Sequence, residues 1–171
     1  AKNCGASVPF IRPDEFAQDD TRDYPVIRHA LDFFEARGQI FDLYILLRPT
    51  SPMRPSGLIE KAIEILKGNT NITSVRSMTR IKEHPYRAWK RHDDGSISGF
   101  IDNEIESYNI PRQELPNLYF QTGDIEAIRR ETIINGSVSG DCVFPLIIKH
   151  DEMIDIDNES DFNRAEQSSF V

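Results

Sequence analysis

Hydrophobic positions recur along this chain with two periods. Over residues 24–37, Val26, Ile27, Ala30, Leu31, Phe33 and Phe34 return at helical spacing before Gly38, which predicts an amphipathic helix. Over 58–66, Leu58, Ile59, Ala62, Ile63, Ile65 and Leu66 repeat the pattern, with Ser56 as the predicted cap and Gly68-Asn69 as the stop. Between the two helices, residues 43–47 form a continuous apolar run, the pattern of a buried parallel strand. Further strands are predicted at 8–11, 72–79, 119–128 and 142–148. A short helix is predicted over 129–135, ended by Gly136. Residues 1–6 read as a helix tail ending at Gly5. Asn158 is placed to cap a closing helix, with Asp161 three positions on.

Helices alternate with strands, so the class is α/β with a largely parallel sheet. Ligands of such sheets sit outside the carboxyl ends of the strands, which directs attention to the loops at 48–54 and 151–158. Residues 81–116 break the alternation. They hold three prolines, an Asp94-Gly95 turn between short polar strands, and Tyr86, Trp89 and Tyr108 away from any long apolar run. This stretch reads as an irregular arm, and its aromatics suggest an interface.

The chain's 171 residues suit a single domain over 1–171. Twenty Lys and Arg against 28 Asp and Glu give a formal charge of −8, which argues against nucleic acid and against a basic membrane-surface protein. No apolar run approaches the ~20 residues of a membrane span, and the first ten residues lack a signal-peptide core. Cys4 and Cys142 form no disulfide framework, so a cytoplasmic location is expected. His29, His84, His92 and His150 lack the spacing of a zinc site.

Three groups of residues could carry chemistry. Asp155 and Asp157 alternate with Ile154 and Ile156, so an extended backbone turns both carboxylates to one face, as hard oxygen ligands for Mg²⁺. Solvated Asp155 and helix-capping Asp157 is the competing account. Arg48-Pro49-Thr50-Ser51-Pro52 follows a strand and offers a guanidinium and two hydroxyls to a sugar or an anion, or forms an ordinary strand-to-helix turn. Arg112, Arg129 and Arg130 could supply positive charge to an anionic substrate, or be solvated.

At this level of detail the chain resembles a known family. Ile45-Leu46-Leu47-Arg48-Pro49-Thr50-Ser51-Pro52-Met53-Arg54 is similar to the LLQPTSPLR signature of the acylneuraminate cytidylyltransferases. GASVPFIRPDEFAQDDT resembles their GAEVPFLRPxELAxDDT. His84-Pro85-Tyr86 with Trp89-Lys90 resembles the start of their dimerisation arm. Pro111 to Pro116 resembles RRQDLP, and Thr122-Gly123-Asp124-Ile125 resembles their NGAI or TGDI strand. Pro145-Leu146-Ile147 and Asp155-Ile156-Asp157-Asn158 resemble the closing VxPxxxxxDIDxxxD segment. The blocks occur in order over essentially the whole chain.

The resemblance implies a three-layer, Rossmann-like nucleotidyltransferase fold with a mostly parallel sheet and a protruding dimerisation arm at 81–116. It implies a cytoplasmic homodimer that transfers CMP from CTP to the 2-hydroxyl of a nine-carbon, sialic-acid-like keto-sugar acid, releasing pyrophosphate. Carried over by position, Asp155 and Asp157 are the catalytic Mg²⁺ pair. Arg48, Thr50, Ser51, Thr122 and Asp124 contact the sugar acid, and Arg112 lies near its carboxylate. Arg48, Thr122 and Glu126 stand where the sialic acid enzymes carry Gln, Asn and Tyr, so the preferred sugar need not be sialic acid. The family's opening strand and Gly-rich nucleotide loop have no counterpart here, so the first strands and the CTP cradle are expected to be missing. Two alternatives stay open: a non-catalytic sugar- or partner-binding remnant of the same fold, and a DxD glycosyltransferase, against which the ordered blocks argue.

Overall fold

The computed structural model describes residues 1–102, 105–149 and 154–168. His150 and residues 151–153 of the expected acidic loop lie outside the described residues.

Four strands make the central sheet: β1 (Leu43–Leu46), β2 (Ser74–Arg80), β5 (Tyr119–Arg129) and β6 (Val143–Ile147), in the order β1-β5-β2-β6. β5 pairs antiparallel with β1 and with β2, while β2 pairs parallel with β6. Strands β1, β2 and β6 therefore point the same way, with β5 reversed between β1 and β2. The expected buried parallel strand at 43–47 is corrected in two respects: its pairing is antiparallel, and its four β1 residues are half-buried. Their apolar side chains still pack on the cores of both faces.

Helices cover both faces, giving the expected three layers. α2 (Leu58–Gly68) sets Leu58, Ala62 and Leu66 against Val75, Ile125 and Ala127. α1 (Asp23–Glu35) and α3 (Arg130–Ile134) set Ile27, Leu31 and Ile133 against Ile128 on the other face. The switch from Ala127 to Ile128 is the period-two alternation of β5. Full burial of a leucine such as Leu31 or Leu66 contributes about 1.5–3 kcal/mol. Among the described residues, no helix is long and apolar enough to cross a membrane.

The local expectations fared unevenly. Gly5 closes the first turn in a left-handed conformation, as expected of a C-terminal glycine. Residues 8–11 form no strand; Phe10 instead packs against His29 and Phe33 of α1, at 5.0 and 4.6 Å between ring centroids. Ser56 does not cap α2, whose N-cap is Gly57 at φ 76°, a conformation a serine adopts reluctantly. Asn158 does cap α4 (Glu159–Ser168): its Oδ1 accepts from the Asp161 N–H at 3.1 Å, and Asp161 Oδ2 accepts in return from the Asp157 N–H at 3.3 Å. The arm carries the expected hairpin, β3 (Trp89–Arg91) against β4 (Ile97–Gly99), with Trp89 tilted on Tyr108 at 4.2 Å.

Candidate functional site

One irregularity in the sheet builds the site. The β2–β5 register runs from Arg76 opposite Glu126 to Met78 opposite Gln121, so residues 122–125 stand opposite Ser77 alone. The buried Ser77 hydroxyl fills the gap in the ladder. It accepts from Thr122 Oγ1 at 2.8 Å and from the Ile125 N–H at 3.0 Å, and lies 3.2 Å from the Ile125 carbonyl. A bulge of this kind bends the strand and re-aims its residues. Here it brings Gly123 against the loop after β1: a Cβ at Gly123 would lie 2.4 Å from Ser51 Oγ and 3.1 Å from Arg48 Cδ.

That loop is pinned from several sides. Arg54 donates to the Asp124 carbonyl at 2.6 Å and to the Arg48 carbonyl. The Ile156 N–H donates to the Thr50 carbonyl at 2.8 Å, and Ser51 Oγ donates to Asp155 Oδ1 at 3.4 Å. The expected sugar loop, the TGDI strand and the first aspartate of the acidic pair thus meet at one corner, beyond the carboxyl end of β1.

The individual residues differ in what they can offer there. Thr50 is exposed, whereas Ser51 is buried. Thr122 is buried with its hydroxyl donated to Ser77, so it shapes the bulge. Asp124 is buried and neither carboxylate oxygen has a hydrogen-bond partner. An ionised carboxylate in that state is costly until a donor or cation reaches it. Asp155 is half-buried and Asp157 exposed; residues 154–156 form no strand, and the Ile156 N–H ties them to the loop. Neither aspartate forms an ion pair among the described residues, and their hard oxygens fit the one or two carboxylates by which proteins hold Mg²⁺ beside a phosphate substrate.

Arg48 is committed to carboxylates. Its guanidinium lies 2.5 Å from Asp23 Oδ2 and 3.0 Å from Glu126 Oε1, and the second oxygen of Glu126 lies 3.0 Å from Arg76. Hydrogen bonding to Asp23 is the main cause holding the Arg48 pKa above its ordinary value, opposed by desolvation and aided by Glu126. Asp23 and Arg76 were missed by reasoning from the sequence, although Arg76 stands directly opposite Glu126 across the ladder.

Arg112 is not at this corner. It lines a separate cleft of about 680 Å³ at the base of the arm, with Arg80, Lys82 and Leu115. Arg129 and Arg130 are also elsewhere: Arg129 donates to the Leu66, Asn69 and Ile72 carbonyls at the end of α2, and Arg130 pairs with Glu35 at 2.6 Å. Both are held by these contacts, apart from the loop after β1.

Known proteins are similar to this chain in sequence. An N-acylneuraminate cytidylyltransferase of Escherichia coli O18:K1:H7 is 27% identical over 96% of this chain and 38% of its own length. A CMP-N,N'-diacetyllegionaminic acid synthase of Legionella pneumophila is 31% identical over 95% of this chain and 69% of its own length. The chain belongs to the acylneuraminate cytidylyltransferase family. It spans little more than a third of the E. coli member and about two-thirds of the Legionella member. No protein-family model matches the sequence. The fold is that of a CMP:2-keto-3-deoxy-manno-octonic acid synthetase solved with CTP, at TM-score 0.57 and 13% identity over 90% of this chain and 70% of that one. It also matches a 4-diphosphocytidyl-2C-methyl-D-erythritol synthase from Anaerococcus prevotii, at TM-score 0.51 and 13% identity over 89% and 68%.

Proposed function

We propose that the complete protein containing this chain transfers CMP from CTP to the 2-hydroxyl of a nine-carbon keto-sugar acid, in the cytoplasm and as a homodimer. The observation that carries the reading is the convergence of three family blocks on one corner: Ser51 Oγ lies 3.4 Å from Asp155 Oδ1, the Thr50 carbonyl accepts from the Ile156 N–H at 2.8 Å, and Arg54 donates to the Asp124 carbonyl at 2.6 Å. The names of the Legionella and E. coli relatives supply the reaction class.

In this reaction the sugar hydroxyl oxygen bonds to the α-phosphorus of CTP, the bond to the bridging oxygen breaks, pyrophosphate leaves and the hydroxyl proton is lost. Asp155 and Asp157 would hold Mg²⁺, which would supply positive charge beside the phosphates. Thr50 offers its exposed hydroxyl to the sugar, and Ser51 orients Asp155. Asp124 supplies an acceptor for a donor on the substrate once that donor reaches the bulge. Arg112 meets the substrate carboxylate from the arm of a second subunit, because within one chain it lines the other cleft. The direct test is mass-spectrometric detection of a CMP-linked sugar acid when the complete protein is given CTP, Mg²⁺ and a panel of keto-sugar acids. Finding only unchanged CTP across the panel would favour the non-catalytic remnant.

Two further results are expected. Arg48→Gln removes the cation that joins Asp23 to Glu126, so the ranking of sugar acids by kcat/KM should change. An unchanged ranking would mean that Arg48 serves only the fold. Light scattering on this chain should give about twice 19.6 kDa, as expected of a two-fold dimer. A monomeric mass at high micromolar concentration would remove the arm as a dimer contact.

A further inference from the structure

Arg48 is held by two carboxylates of unlike character. Glu126 is fixed: its side chain is 2% exposed, it sits in the middle of β5, and Arg76 holds its other oxygen. Asp23 is not fixed in this way. It is the first residue of α1, its side chain is 38% exposed, and among the described residues Arg48 is its one ion-pair partner. The two contacts from Arg48 to Asp23 are unequal, 2.5 Å to Oδ2 and 3.5 Å to Oδ1, where a matched fork would make two short bonds.

Along this line of contacts charges alternate as Asp23, Arg48, Glu126, Arg76. Glu126 is shared between two arginines, and Asp23 is the second and more exposed carboxylate on Arg48. A partly exposed ion pair of this kind is worth little, because water competes for both partners. An incoming carboxylate that offers a planar fork to Arg48 can replace it at small cost. The side chain of Arg48 is 35% exposed, and its Cδ packs over Gly123 beside Ser51, where the loop meets the bulge.

We propose that Asp23 is a displaceable internal ligand of Arg48. A carboxylate-bearing ligand enters the loop after β1 by taking Arg48 from Asp23, while Glu126 keeps the guanidinium in place. Asp23 thereby weakens the binding of every acid at this corner and selects ligands whose carboxylate forks onto Arg48. Glu126 is a positioning residue in this scheme. The inference rests on the reading of the corner as an acid-binding site and not on nucleotide transfer.

The test is calorimetric binding, without CTP, of N-acetylneuraminate and of its methyl ester to the complete protein, for the unmodified chain and Asp23→Asn. Asn is isosteric and serves well at a helix start, so α1 is retained. The acid should bind Asp23→Asn about three- to fivefold tighter, the scale of one partly exposed ion pair. The affinity of the uncharged ester should stay unchanged. Arg48→Gln should reduce the preference for acid over ester to what Arg112 supplies, and Glu126→Gln should weaken acid binding by leaving Arg48 less well held. Equal or weaker acid binding by Asp23→Asn, equal tightening for acid and ester, or no saturable binding of the acid to either protein would each overturn the proposal. Tightening without any CMP transfer in the separate activity assay would remove the transferase reading and leave this one standing.

Discussion

Asp157→Asn in the complete protein should lower the proposed CMP transfer on the order of 10²-fold or more at matched Mg²⁺ concentration. Asp157 is exposed at the start of α4, and its backbone N–H, rather than its carboxylate, serves the helix cap. Asn keeps that N–H and nearly the same volume, so folding should be spared. What is lost is one negative charge from the pair proposed to hold the metal beside the phosphates. Removing one preorganised electrostatic partner from a transition state has effects of this scale. The check is a steady-state assay over a Mg²⁺ titration, with the melting temperature measured alongside. Full turnover by Asp157→Asn would leave its carboxylate as solvated surface and remove it from the metal pair.

Gly123→Ala should be nearly as damaging, by a different route. The added Cβ would lie 2.4 Å from Ser51 Oγ and 3.1 Å from Arg48 Cδ, and neither atom can retreat freely. Ser51 is 2% exposed and donates to Asp155, while Arg48 is tied to Asp23 and Glu126. The loop after β1 must therefore move away from the bulge. Overpacking of this sort costs roughly 1–3 kcal/mol of stability. A shift of about 1 Å in positioning groups can cost ~10²-fold in rate. The variant should remain folded, with kcat/KM reduced far more than its melting point suggests. Wild-type kinetics in Gly123→Ala would show that the loop and the bulge are not held to one geometry.

The layers of the fold were legible in the sequence because they depend on periodicity. The apolar faces of α1 and α2 read directly, and the alternation at Ala127 and Ile128 sends β5 side chains to opposite cores. Strand direction was only partly legible: the apolar run of β1 looks alike whether its neighbour is parallel or antiparallel. The cap of α2 was misread because Ser56 has the right chemistry, while the backbone places the positive φ at Gly57.

The residues of the corner were named from family blocks, but what holds them together was not visible. Ser77 lies in an ordinary strand pattern, and nothing local marks its hydroxyl as the filler of a gap opposite 122–125. The partnership of Arg48 with Asp23 spans 25 positions and that with Glu126 spans 78, beyond any local rule. For Arg129 and Arg130 the sequence left substrate charge and solvent both open; the carbonyls ending α2 and Glu35 engage them instead.

The central claim is that this corner serves CMP transfer to a keto-sugar acid. Pyrophosphate release by the complete protein, followed with and without a keto-sugar acid at constant CTP and Mg²⁺, tests it most directly. The account predicts release that requires the acid and matches CMP-sugar formed mole for mole. Release at the same rate without the acid, or none with any acid of the panel, would contradict it.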